Sequence, residues 1–174
     1  MNIFDIAKQN QEKAWQVIKN TNIIQIWEDA GAKINLVGSL RTGLLMKHRD
    51  IDFHIYSSPL NLADSFLAMA RLAENPSIKR IECANLLHTS EACIEWHAWY
   101  QNEENELWQM DMIHIREGSR YDGYFEKVAQ RISEIMTDEI RETILRLKYE
   151  TPETEEDYRS GILVRQSSRW GTGL

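Results

Sequence analysis

Gly38-Ser39-Leu40-Arg41-Thr42-Gly43-Leu44-Leu45-Met46-Lys47-His48-Arg49-Asp50-Ile51-Asp52-Phe53-His54-Ile55 is the stretch on which the fold turns. It joins a small-residue turn, a short helix-like segment and two carboxylates one residue apart, with strand-like sequence on both sides. In an extended strand alternate side chains share a face, so Asp50 and Asp52 project together, roughly 7 Å apart at the backbone. Two carboxylates on one face repel, and a divalent cation is the usual way to offset that repulsion. A solvated strand edge with both acids in water is the alternative that a lone Asp-x-Asp leaves open.

The residues upstream add to the pair. Ile34, Leu36 and Val37 read as a short buried strand, and Gly38-Ser39 ends it where the chain bends into the helix-like Leu40 to Met46. A glycine at that bend lets the backbone approach a ligand closely, and Ser39 with the N–H groups opening the next segment forms a phosphate cradle. In this order, Gly38-Ser39, Gly43 and Asp50-Ile51-Asp52-Phe53 resemble the signature of the nucleotidyltransferase superfamily typified by DNA polymerase β. The likeness is to its minimal and antibiotic-modifying (aminoglycoside or lincosamide) bacterial branches.

The resemblance implies a third carboxylate on a later strand. Asp111 is the candidate, as the lone acid in the apolar run Leu107 to Ile115, where an unpaired carboxylate would be costly without a cation or hydrogen-bond donors. Glu95, in Cys93-Ile94-Glu95-Trp96, is the rival third acid. Arg41 follows Ser39 closely enough to grip the same ligand, since Arg binds phosphate oxygens in a bidentate fork. Lys47 reads as a surface cation, and His48 and Arg49 as neighbours able to orient Asp50.

At 174 residues the chain suits one compact domain with a small helical appendage. No run approaches the length of a membrane span, and Asp5, Lys8 and Glu12 interrupt the N-terminus, so a cytoplasmic protein without membrane contact is expected. Cys83 and Cys93 have neither metal spacing nor a disulfide-rich context, and are expected as buried thiols. The net charge of -7 argues against a broad nucleic-acid surface, because phosphate affinity comes mainly from Lys and Arg.

Periodicity places a helix over 4–20 and another from about Asn22 to Gly31, with Thr21 as its N-cap and Trp15 and Trp27 as core anchors. A helix with an apolar stripe including Leu62, Phe66, Leu67, Met69 and Leu72 follows the Asp-x-Asp strand. Strands are expected over about 78–87, 92–101 and 106–115, the last two joined by the Asn102–Asn105 turn. Alternation sets Cys93, Glu95, His97 and Trp99 on one face of their strand, and points His114 away from Asp111. Phe125, Val128, Ile132 and Ile135 suggest one later helix, Thr137 caps another, and Pro152 opens a third that runs to about Val164.

The fold expected is α+β: a nucleotidyltransferase-like twisted mixed β-sheet with helices on one side and a C-terminal helical segment. The core spans 1–118, the helical segment 119–166, and 167–174 form a flexible tail. The resemblance implies a metal-dependent enzyme moving a nucleoside monophosphate from a nucleoside triphosphate to an acceptor hydroxyl and releasing pyrophosphate. Asp50, Asp52 and Asp111 would hold two magnesium ions, with Asp111 also taking the acceptor's proton. Gly38, Ser39 and Arg41 would bind the nucleotide. The acidic, aromatic-rich chain points to a small-molecule, antibiotic-like acceptor rather than nucleic acid. A protein partner, or a non-catalytic nucleotide-binding module, is the alternative.

Overall fold

The computed structural model describes residues 2–151, in the order α1 (Ile3–Thr21), α2 (Ile23–Asp29), β1 (Lys33–Val37), α3 (Gly38–Thr42), β2 (Asp50–Ser57), α4 (Leu62–Ala73), β3 (Ile78–Asn85), β4 (Cys93–Gln101), β5 (Leu107–Arg116), α5 (Tyr124–Ile135) and α6 (Asp138–Glu150). The five strands form one mixed sheet in the order β1-β2-β5-β4-β3. Only β2 and β5 run parallel, and the return between them is made by α4, β3 and β4. This is the α+β architecture the sequence implies. The helix expected from Pro152 and the tail at 167–174 lie outside the described residues.

The period of two along the strands decides which face is core. Ile51, Phe53 and Ile55 of β2, Met110 and Met112 of β5, and Ile94, Trp96 and Ala98 of β4 cluster with residues of α1, α2 and α4. Each large apolar side chain fully buried there contributes about 1.5–3 kcal/mol relative to exposure. Trp27 is completely buried as expected, whereas Trp15 is 50% exposed. The face α1 buries is built instead from Ile3, Ala7, Ala14, Val17, Ile18 and Thr21. Thr21 is the last residue of α1 rather than a cap for α2: its hydroxyl donates to the Val17 and Ile18 carbonyls, and Asn22, in a left-handed conformation, separates the helices. On α4 the buried set is Ser65, Ala68, Met69 and Leu72, leaving Phe66 and Leu67 largely exposed.

Burying Ser65 brings polar groups into this core, and they are satisfied there. Trp96 Nε1 donates to Ser65 Oγ at 2.8 Å, His114 Nδ1 lies 3.0 Å from the same oxygen, and His114 Nε2 lies 2.7 Å from Ser57 Oγ.

Helices occupy both sides of the sheet, not one. The α5 helix covers part of the opposite face, packing on α3 and β1. Glu126 in its first turn accepts from Asn35 Nδ2 on β1 (3.0 Å) and from the Tyr56 hydroxyl on β2 (2.9 Å). Burial, the hydrogen bond to Glu126 and its charge together hold the Tyr56 phenol well above its usual pKa, so it remains a donor. Thr137 caps α6, its side chain accepting from Ile140 N–H, and Leu145 then packs with Ile3, Ala7 and Met46. Among the described residues no helix is long and apolar enough to cross a membrane.

Candidate active site

The face of the sheet under α5 gathers the acids. Val37, extended at the end of β1, leads into Gly38 at φ +69°, a left-handed conformation that disfavours any residue with a Cβ. A Cβ at Gly38 would also collide with the Asp52 carboxylate, so the turn and the acid are in contact because the residue is glycine. Val37 pairs with Asp52 across β1 and β2, and Asp52 pairs with Asp111 across β2 and β5. Gly38, Ser39, Asp50, Asp52, Asp111 and Glu95 all line one cavity of about 440 Å³. Ile113, Ile115, Phe125 and Ile132 are among its apolar lining residues.

Asp111 is 1% exposed and heavily hydrogen-bonded. His97 Nδ1 donates to its Oδ1 at 2.6 Å, and Gln109 Nε2 donates to the same oxygen at 2.7 Å. His97 is the direct partner of Asp111 across β4 and β5, while Gln109 lies two residues earlier on the same face. Glu95 stands one step further along β4, opposite Ile113, with its Oε2 3.9 Å from His97 Nε2. Ligand atoms of Glu91, Cys93 and Glu95 fall within 4.8 Å of one another. Cys93 is thus buried beside carboxylates rather than in a purely apolar setting, and Cys83 is exposed.

A cation reaches the Gly-Ser turn from far along the chain. Lys148, in the last turn of α6, donates from Nζ to Ser39 Oγ at 2.9 Å and to the Leu44 carbonyl at 3.0 Å. Gly43 closes α3 at φ +70°, and its carbonyl accepts from Gln11 Nε2 on α1 and Arg141 Nη1 on α6, tying three helices to this turn. Arg41 is not brought to the cavity: it is exposed and lines a separate groove with Trp15 and Glu126. Lys47 donates to the Thr151 carbonyl. Arg49 binds Glu106, which also accepts from Lys13 and Asn102, fastening the residue before Asp50 to α1 and the β4–β5 hairpin. Burial alone would raise the Glu106 pKa, but these three donors together hold it below the usual carboxylate value.

The donor set is made of hard carboxylate oxygens, the chemistry that suits magnesium or manganese. Three such acids on neighbouring strands, pressed by the Gly38 backbone, form an arrangement whose mutual repulsion a divalent cation would relieve. The residues fit the group that the motif implies. Of the residues singled out in the sequence, Gly38, Ser39, Asp50, Asp52 and Asp111 line this cavity together; His97, Gln109 and Lys148, which the structure joins to Asp111 and Ser39, were not among them. The alternation of β4 placed His97 on the correct face, and nothing local to residue 148 points to Ser39.

As a sequence, the chain matches no family model and no curated protein. As a structure it is similar to the Cid1 poly(U) polymerase with MgGTP bound, with a TM-score of 0.59 and 11% identity over 84% of this chain and 45% of that one. It is also similar to Cid1 in a structure addressing its RNA terminal uridylyl transferase activity (TM-score 0.57, 11% identity, 80% of this chain and 39% of that one). A cytoplasmic RNA terminal U-transferase gives a TM-score of 0.53 at 14% identity, over 81% and 38%. The chain spans less than half the length of these proteins. It shares the fold of these proteins.

These similarities correct the expectation about partners. The structures that share the fold are polymerases and terminal transferases of RNA, so an acidic average does not set nucleic acid aside in favour of a small molecule. Net charge sums the whole chain, whereas phosphate binding depends on a few local groups.

Proposed function

We propose that the chain transfers a nucleoside monophosphate from a nucleoside triphosphate to the terminal hydroxyl of an RNA. The observation that carries this reading is the register Val37–Asp52–Asp111 beside the Gly38-Ser39 turn, which sets that turn against three carboxylates in one cavity. In this reading Asp50, Asp52 and Asp111 hold two magnesium ions, and Ser39, the Gly38 backbone and Lys148 receive the terminal phosphates. Bound magnesium would supply charge neutralisation for the triphosphate and the leaving pyrophosphate. The acceptor oxygen forms a bond to the α-phosphorus while the bond from that phosphorus to the α,β-bridging oxygen breaks. Asp111 takes the acceptor's proton. RNA as acceptor is supported by what the structurally similar proteins act on.

The test is incubation with each labelled nucleoside triphosphate, magnesium and an RNA oligonucleotide, beside Asp50→Asn. A lengthened RNA with stoichiometric pyrophosphate, absent in the variant, is the expected result. Failure of every triphosphate to bind in a magnesium-dependent way would overturn the reading.

A further inference from the structure

An aspartate carboxylate has a soft terminal torsion: rotation about χ2 is broad and nearly two-fold, so a buried carboxylate presents a fixed oxygen only if something holds the other. At Asp111 two donors do so, on the same atom. His97 reaches Oδ1 at 2.6 Å and Gln109 at 2.7 Å. A carboxylate only accepts, so the His97 bond requires the proton on Nδ1. On its other side the ring places Nε2 3.9 Å from the buried Glu95 carboxylate, and its centroid lies 6.3 Å from that of Trp99. The bond joins directly opposed residues of β4 and β5, the closest cross-strand relation a sheet offers.

We propose that His97, assisted by Gln109, is a positioning residue that fixes the orientation in which the Asp111 carboxylate meets a divalent cation and the acceptor. This rests on the reading of Asp111 as a metal-facing acid. It makes the Nδ1–H, rather than the ring or its charge, the feature that matters. His97→Asn keeps an N–H close to the position of Nδ1, whereas His97→Phe keeps a packed ring and loses the donor.

The experiment is Mn²⁺ binding, followed by electron paramagnetic resonance with a non-hydrolysable triphosphate present, on the wild-type chain, both His97 variants and Asp50→Asn. The expected loss is about 10–100-fold in Mn²⁺ affinity for His97→Phe, the usual effect of removing a partner of a metal ligand. His97→Asn should stay within about threefold of wild type, on that same scale. Circular dichroism and thermal midpoints verify that both variants fold. Long-range ¹H–¹⁵N spectra of the wild type should show His97 protonated at Nδ1. If Asp50→Asn loses Mn²⁺ but His97→Phe binds as wild type does, or His97→Asn falls as far as His97→Phe, the positioning role is wrong while the nucleotidyltransferase reading stands. Mn²⁺ binding absent from the wild type overturns both. An Nε2-only proton on His97 overturns the positioning role alone.

Discussion

His114 lies on the face of β5 turned away from the acids, 2% exposed, against Trp27 and between the hydroxyls of Ser57 and Ser65. Asp64 also lines the small cavity beside it. Burial lowers its pKa from 6.5 to about 4, so the folded chain keeps this imidazole neutral where the unfolded chain protonates it. The contribution to stability is therefore complete above pH 6.5 and is lost as pH falls towards 4. One pKa unit is worth about 1.4 kcal/mol, so the full effect is about 3 kcal/mol, and about 2 kcal/mol of it is lost between pH 7.5 and pH 5. His114→Asn removes the titration and leaves a polar side chain among the same hydroxyls. Urea midpoints of both proteins across that range should show the wild type losing about 2 kcal/mol more than the variant. Parallel pH profiles for the two proteins would refute the account, since every other titrating group is common to both.

Gly38→Ala should lower magnesium-dependent triphosphate binding at least tenfold in equilibrium titrations, because its Cβ meets the Asp52 carboxylate. Gly118→Ala, at a comparable positive φ with nothing within 4 Å, should cost only the left-handed strain of about 1–2 kcal/mol and leave binding unchanged. Lys148→Ala should weaken triphosphate binding about tenfold, the loss expected of one charge-assisted phosphate contact, while Arg41→Ala should not change it. Glu106→Gln should cost about 1 kcal/mol at neutral pH in denaturant titrations. Because the folded pKa of Glu106 is lowered, that stability is present above the ordinary carboxylate value and disappears as pH falls through the lowered one, so the two proteins should converge in acid.

What could be read in the sequence was what depends on neighbours along the chain. The face shared by Asp50 and Asp52 follows from the two-residue period of a strand, and the bend at Gly38 from a glycine placed between two strand-like runs. Asp111 stood out because an acid in an apolar strand needs a reason to be there. Contacts made across the fold were not legible in this way. The bond from His97 to Asp111 depends on the β4–β5 register, which the hairpin sets through Asn102, whose Oδ1 accepts from the Glu104 and Glu106 N–H groups. Lys148 meets Ser39 only because α6 folds back onto α1 and α3, an outcome of packing by Leu145 and of the Arg141 bond to Gly43. Arg41 shows the converse: two residues from Ser39 in sequence, it leaves the short α3 helix on another side and faces a different groove.

The same distinction accounts for the charge. The chain carries 27 acidic residues against 20 Lys and Arg, and five of the acids, Asp50, Asp52, Glu91, Glu95 and Asp111, line the candidate active-site cavity, whose described lining includes no Lys or Arg. The other 22 acids leave a formal charge of only -2 for everything outside it. Most of the negative average is therefore the cavity itself, concentrated where divalent cations would offset it, and it does not describe the surface that a polyanion would meet. A site that handles triphosphates through carboxylate-held cations is expected to be acidic, because the cations, not the side chains, bring the positive charge. Net charge read from composition counts the carboxylates and omits the ions they would hold. Under the proposed chemistry a net charge of -7 therefore does not count against nucleic acid. It also sets an expectation: RNA binding should strengthen when magnesium is added, with the gain lost in Asp50→Asn, and magnesium-independent RNA binding by both proteins would refute it.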